Sequence, residues 1–294
     1  MDILVAGATG FVGSGLVPAL IGAGHRVRAM TRHPDRYDGK GEAVDGDVAD
    51  ADSLRPALSG VEVAYYLVHS LGSDDFEEKD AAAARSFGAV AAECGVRRIV
   101  YLGGLGPENP DELSPHLRSR REVETLLGEG GVPVTTLRAA IVVGAGGITW
   151  EITRQLVKNL PAMIGPRWVN TMTQPIALDD AVRYLAAMAE HDDVDGAVFE
   201  IGGPEAMTYA DMLRRAAKIV NGREVPIFVV PVLTPWLSSL WISLVTNVDA
   251  TTARNLIESM DTEVVVHDNT IIDAVPGDPI AYEAAVERAL AADG

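Results

Sequence analysis

Cysteine is almost missing from this chain of 294 residues. Cys94 stands alone, which excludes an intrachain disulfide and any cysteine-built zinc or iron–sulfur site; the thiol reads as a small buried group near a helix end. Lysine is scarce as well: Lys40, Lys79, Lys158 and Lys218 are the full set, and 24 basic residues face 42 acidic ones for a net charge of −18. A surface of that sign repels phosphate backbones and anionic membranes, so nucleic acid is not an expected partner. The first residues, MDILVAGATG, place an acid and glycines where a secretory signal needs a basic region and a longer apolar stretch, which predicts a cytoplasmic protein. No G-x-S-x-G turn, P-loop lysine motif or histidine pair at metal spacing occurs, and no metal is expected.

Long hydrophobic runs are also rare, with one exception. Val225 to Val248 carries no charge and is long enough to span a bilayer, but Pro226, Pro231 and Pro235 interrupt it. The apolar remainder fits a buried helix, a pocket wall or a dimer face better than a membrane span.

What is present is the composition of a globular chain, 48% hydrophobic and 22% charged, of a length that suggests about two structural units. Through residue 145, short apolar runs alternate with helical stretches. Strands are expected at Asp2–Ala6, Val27–Thr31, Glu42–Val44, Val61–Val68, Arg98–Leu102 and Val134–Arg138, with helices at Phe11–Gly22, Ser53–Leu58, Phe76–Gly95 and Pro115–Leu127. That alternation predicts an α/β fold, a Rossmann-like doubly wound parallel sheet, over residues 1–145. Gly22 and Gly95 read as helix stops, Ser114-Pro115 as an N-cap with proline at the first helical position, and Pro18 as a kink. Residues 146–294 read as a smaller, mostly helical substrate or partner region. Its helices are expected near Glu151–Asn159, Asp179–Glu190, Ala250–Met260 and Ile280–Leu290, and one more opens at the capping-box variant Thr208-Tyr-Ala-Asp211. The strand-like Ala197–Ile201 is a candidate to return to the first sheet.

Directly after the first strand comes Gly7-Ala8-Thr9-Gly10-Phe11-Val12-Gly13, a G-x-x-G-x-x-G turn that opens a helix. Glycines there permit a tight turn and let backbone N–H groups and the helix dipole meet a pyrophosphate. The second strand ends in Thr31-Arg32-His33, with no acid to bind an adenosine ribose; Arg32 favours a 2′-phosphate and hence NADP(H) over NAD(H). Arg28, two residues further from the strand end on the same side, reads as a solvated strand charge. Asp47 and Val48 follow the third strand, where a carboxylate accepts from the adenine amino group while the valine packs on the ring; the competing reading of Asp47 is a helix cap. Leu67, Val68 and His69 close the fourth strand at the carboxyl edge, where open sheets bind ligands.

These pieces resemble the extended and atypical short-chain dehydrogenases/reductases, in particular their NmrA-like, NAD(P)H-binding branch. The matching segments are GATGFVG, Thr31-Arg32, GDVAD at 46–50, YYLVHS at 65–70, GVRRIVYLGGLG at 95–106, TLRAAIVVG at 136–144 and PIALDDAVRYL at 175–185. The resemblance implies the fold, dinucleotide binding, and a nicotinamide placed beside Ala139, Ala140, Ile141, Val142 and His69. It also implies a Ser, Tyr and Lys set that this chain does not carry: Gly103-Gly104 stands at the serine position, His116 at the tyrosine and Arg120 at the lysine.

His116, Arg120, Val123 and Leu127 share one helix stripe. Arg120 can donate to the nicotinamide ribose as lysine does, but it cannot relay a proton. His116, titrating near ~6.5 when unperturbed, is a candidate proton donor, and His69 and Tyr101 are others. The bland alternative has His116 bonded to nearby backbone and Arg120 paired with Glu124. Arg167-Trp168 is a candidate pocket loop. The reading is an NADP(H)-dependent reductase of a small, largely apolar carbonyl or unsaturated substrate. Its rivals are a non-catalytic NADP(H)-binding redox sensor or regulatory protein and an NADPH-stabilised assembly factor of a membrane complex.

Overall fold

The computed structural model describes residues 1–293 apart from 71, 74, 192, 231–245 and 247–249. The first half runs β1 (Asp2–Ala6), α1 (Phe11–Gly22), β2 (Arg26–Thr31), β3 (Glu42–Asp45), α2 (Ala51–Leu58), β4 (Val63–Tyr66), α3 (Phe76–Glu93), β5 (Arg98–Gly104), α4 (Pro115–Gly128) and β6 (Val134–Ala139). Then follow β7 (Val142–Val143), α5 (Ile148–Asn159), β8 (Met163–Gly165), β9 (Met172–Thr173), β10 (Ile176–Ala177), α6 (Leu178–Ala187), β11 (Val198–Ile201), β12 (Met207–Thr208), α7 (Tyr209–Asn221) and β13 (Ile227–Val229). After these, α8 (Ala250–Ser259), α9 (Ile271–Ala274) and α10 (Tyr282–Ala292) are described.

Seven strands form the main sheet in the order β3-β2-β1-β4-β5-β6-β11, every neighbouring pair parallel. Parallel strands are covered on both faces and therefore read as continuous apolar runs. In β1, Ile3 and Val5 pack toward Leu16, Val17 and Leu20 of α1, and Leu4 and Ala6 toward Leu54 of α2 and Phe87 of α3. The strand at 198–201 does return to the sheet, beside β6. With it comes α6, whose Ala181, Tyr184 and Leu185 share the α1 side of the core, so the later half of the chain completes the layers around the main sheet. A separate cluster built on Trp150, Trp168, Tyr209, Met212 and Val286 holds α5, α7 and α10 together.

The expected caps form. Ser114 Oγ accepts from Leu117 N at 3.3 Å, and Thr208 Oγ1 accepts from Asp211 N at 3.0 Å while its hydroxyl donates to the Asp211 carboxylate at 2.7 Å. Gly95 has φ +75, as a helix stop requires. At the end of α1 the left-handed residue is Gly24 (φ +91) and not Gly22, because the helix keeps one more turn of bonding through Ala23 N to Ala19 O. Arg28 is not a free strand charge: its guanidinium donates to Ala57 O and Ser59 O at 2.9 and 2.7 Å, closing the carboxyl end of α2. Of the apolar stretch 225–248, most lies outside the described residues; its first part forms β13 alongside β8. Among the described residues no helix is long and apolar enough to cross a membrane.

Candidate functional site

The strand order reverses between β1 and β4, and the turn that leaves β1 sits in that crevice. Gly7 has φ +87, and a Cβ on it would lie 2.8 Å from Leu67 O; a Cβ on Gly13 would collide with Gly7 O. The glycines thus let α1 start directly against the strand edge. Gly10 caps α1 without a side-chain bond, and the first turn holds no acid, so its N–H groups and positive dipole end are left for an anion.

An open cleft of about 600 Å³ lies beside the end of β2. Thr9, Thr31 and His33 line it, together with Arg36, Tyr37 and Lys40, which the sequence reading passed over. The Tyr37 hydroxyl donates to Lys40 O at 2.6 Å and shapes this loop. Arg32, by contrast, is exposed and is not among the lining residues. Asp47 turns inward on its own loop, its carboxylate accepting from Ala49 N at 3.0 Å; the cap of α2 is Asp50. Val48 and Val68 pack with the core under α2 and α3. Neither they nor Asp47 reach either cleft.

A second cleft, about 270 Å³, runs from the glycine turn across the sheet edge. It gathers Gly7, Gly10, Phe11, Val12, Gly13, Leu67, His69, His116, Arg120 and Ala139, Ala140, Ile141 and Val142 along one wall. Ser114 Oγ donates to Ser259 Oγ at 3.0 Å, tying the start of α4 to the end of α8 and so fixing His116 and Arg120 against the far wall. A Cβ on Gly104 would sit 2.7 Å from Leu117 Cδ2, the end of a flexible side chain, so a serine at that position would require Leu117 to shift.

Charges in this cleft differ from what unperturbed titration predicts. Half-buried His116 is pushed down to about 3, first by loss of hydration and then by the Arg120 charge and His69. His69 at the rim shifts in the same direction, first where the cleft wall removes hydration from part of its ring and then through the Arg120 charge. Both imidazoles are therefore neutral near neutral pH. Tyr101 is fully buried, its hydroxyl lying 3.3 Å from Arg120 O, and burial raises its pKa. Glu124 does not hold Arg120; it takes Arg138 through two bonds of 3.1 and 2.9 Å. Buried Asp80, not noticed in the sequence, is raised by burial while bonds from Ser70 and the Arg120 charge oppose that rise.

A family model described as NAD(P)H-binding matches residues 7–161. The chain belongs to this NAD(P)H-binding family. Over 230 residues it is 30% identical to a (4-alkanoyl-5-oxo-2,5-dihydrofuran-3-yl)methyl phosphate reductase of Streptomyces griseus, covering 74% of each chain. An uncharacterized Mycobacterium tuberculosis protein is 28% identical over 77% of this chain, which spans only 24% of that relative's length. Among solved structures, a Citrobacter triphenylmethane reductase complexed with NADP(H) shares the fold at TM-score 0.78 and 16% identity, over 98% of this chain and 100% of that one. An NADPH-dependent quinone oxidoreductase of Escherichia coli complexed with NADPH does so at TM-score 0.78 and 18% identity, over 98% and 99%. The chain is an NAD(P)H-binding, reductase-like protein of Rossmann type.

In this NAD(P)H-binding protein the wall that the sequence reading missed comes from far along the chain: Thr149, Tyr209, Leu256, Ser259, Met260 and Val264. The capping box located Tyr209 at a helix start, but nothing local says that this helix end faces the sheet edge. Trp168 does not enter the cleft; it is buried edge-on against the Tyr209 ring at 5.9 Å, and Arg167 is exposed.

Proposed function

We propose that the chain is an NADP(H)-dependent reductase of a small, largely apolar carbonyl or conjugated unsaturated substrate. The observation that carries this reading is one cleft lined by the glycine turn at one end and by Leu256, Met260 and Val264 at the other, with Arg120 and two neutral histidines between. The uncapped start of α1 and the glycine cradle fit a pyrophosphate. Thr31, His33, Arg36 and Lys40 fit the adenosine side, where two cations against the single carboxylate of the lining, Asp38, favour a 2′-phosphate. When bound, the cofactor supplies a hydride at its nicotinamide ring. Residues 1–145 would then hold the nucleotide and parts of 146–294 cover the substrate.

The chain's own residues have three tasks in this scheme. Apolar Leu102, Leu105, Leu117 and Ile141 exclude water from the reacting centre. Arg120 donates hydrogen bonds to the ribose or the substrate oxygen. The neutral imidazole of His116 orients the substrate as a hydrogen-bond donor but holds no spare proton near neutral pH.

The family resemblance, which implies a serine, tyrosine and lysine where this chain has glycine, His116 and Arg120, supports a second reading, a non-catalytic NADP(H)-dependent sensor. Loss of NADPH absorbance over a panel of quinones, enones, aldehydes and ketones separates the two. Turnover of at least one conjugated member is expected, and binding of NADPH with no turnover of any member would favour the sensor.

A further inference from the structure

We infer that Tyr209, at the start of α7, is the acid of this cleft: it hydrogen-bonds the substrate's carbonyl oxygen and protonates it as hydride arrives. The inference rests on the reductase reading above. Tyr209 lines the cleft and is only 4% exposed. The Trp168 ring stands edge-on to it at 5.9 Å, and the cluster that includes Trp150 and Met212 encloses both, so the phenol ring is held in one orientation. Ile141, just past β6 at the carboxyl edge of the main sheet, packs on the same cluster and lines the cleft as well. A phenol therefore reaches the sheet edge from α7, although α4 supplies none.

Its hydroxyl is placed differently from those of other buried tyrosines. Tyr65, Tyr101 and Tyr282 direct theirs to backbone carbonyls, of Leu185, Arg120 and Met212, at 2.9, 3.3 and 3.0 Å. Those protons tie elements of the fold together. Tyr209 faces the side chain of Thr173 instead. Thr173 is fully buried, and its hydroxyl has no other partner among the described residues. It sits in β9 beside Val264, which lines the cleft. When two hydroxyls meet, one donates and the other accepts. With Thr173 donating to the phenolic oxygen, the phenolic proton is left for an oxygen in the cleft.

The other ionisable side chains described along the cleft do not offer this: Arg120 keeps its proton, and the neutral imidazoles of His116 and His69 hold no spare one. Burial pushes the Tyr209 hydroxyl up to about 12 while the Thr173 side chain opposes the rise, so the phenol keeps its proton at neutral pH until an oxygen beside it gains charge. In the step, hydride from NADPH, which becomes NADP+, forms a C–H bond at the carbonyl carbon. The C=O electron pair moves to oxygen, and the phenolic O–H bond breaks to protonate it. The substrate leaves as an alcohol, and the phenolate, with Thr173 donating to it, regains its proton from water.

The test uses 4-(dimethylamino)cinnamaldehyde, a dye whose absorbance moves to longer wavelength when its carbonyl oxygen accepts a hydrogen bond, bound to the protein saturated with NADP+, where no reduction occurs. The wild type is expected to shift the dye to the red. Tyr209→Phe, which keeps the ring against Trp168, should lose most of that shift and bind NADP+ as before. With NADPH the same variant should reduce the aldehyde about 10²- to 10⁴-fold more slowly at saturation, the range for a general acid. Thr173→Val should show a smaller loss of both. No shift in the wild type overturns the inference, and that measurement needs no variant. An equal shift in Tyr209→Phe puts another donor on the oxygen, loss of the shift without loss of rate leaves a contact that transfers no proton, and loss of NADP+ binding leaves a support of the nucleotide site; each overturns it. If Tyr209→Phe does not fold, an unaltered shift in Thr173→Val does the same. If NADP+ does not bind the wild type, the reductase reading fails and takes this inference with it.

Discussion

A methyl group on Gly13 would meet the Gly7 carbonyl, so Gly13→Ala must push α1 off the turn that precedes it. Overpacking of this kind costs about 1–3 kcal/mol. The variant should lose that much stability to urea and also bind NADPH at least ~10-fold more weakly, since the displaced helix carries the free N–H groups. Near β2 the cations that line the cleft are Arg36 and Lys40, and the proposed phosphate contact rests on them. The sequence reading chose Arg32 because the end of a strand is where a charge is easiest to place, but the chain turns there and presents residues four and eight positions later to the cleft. Replacing Arg36 or Lys40 by alanine should weaken NADPH about 10- to 100-fold, the range for a charge-assisted bond, and leave NADH unchanged by calorimetry. An equal loss for both nucleotides would remove the 2′-phosphate from this pocket.

Among elements, α4 bears most on the account. Ser114 caps it and also bonds Ser259 of α8, so Ser114→Ala should cost about 1 kcal/mol in thermal unfolding and loosen the far wall of the cleft. His116 on the same helix gives a pH dependence with a definite sign. Its folded pKa of about 3 lies below the unfolded value of ~6.5, so its contribution is complete above ~6.5 and is lost as pH falls toward 3. Urea titrations across that window should therefore show falling stability, and His116→Gln should flatten the slope; an unchanged slope would mean the imidazole is solvated. The long elements were legible in the sequence because strands buried on both faces are continuously apolar and because Ser114-Pro115, Thr208 and Gly95 mark helix ends chemically. The strands β7, β9, β10 and β12 were not, since two residues carry no period and their pairing is purely tertiary.

At the scale of the molecule, the site is half local and half assembled. Gly7 to Gly13 form their cradle from one turn of chain, which is why the motif could be read directly. The wall at Leu256, Met260 and Val264 reaches the same cleft only because α8 is bound to α4 across 145 residues of sequence, and no spacing rule encodes that approach. The two-sided arrangement makes nucleotide binding the condition for everything else proposed. Titration calorimetry of NADPH and NADH into cofactor-stripped protein tests that condition most directly. The account predicts that NADPH binds at one site per chain, ~10-fold or more tighter than NADH. Tighter binding of NADH would contradict the phosphate pocket, and heat from neither nucleotide would contradict the account as a whole.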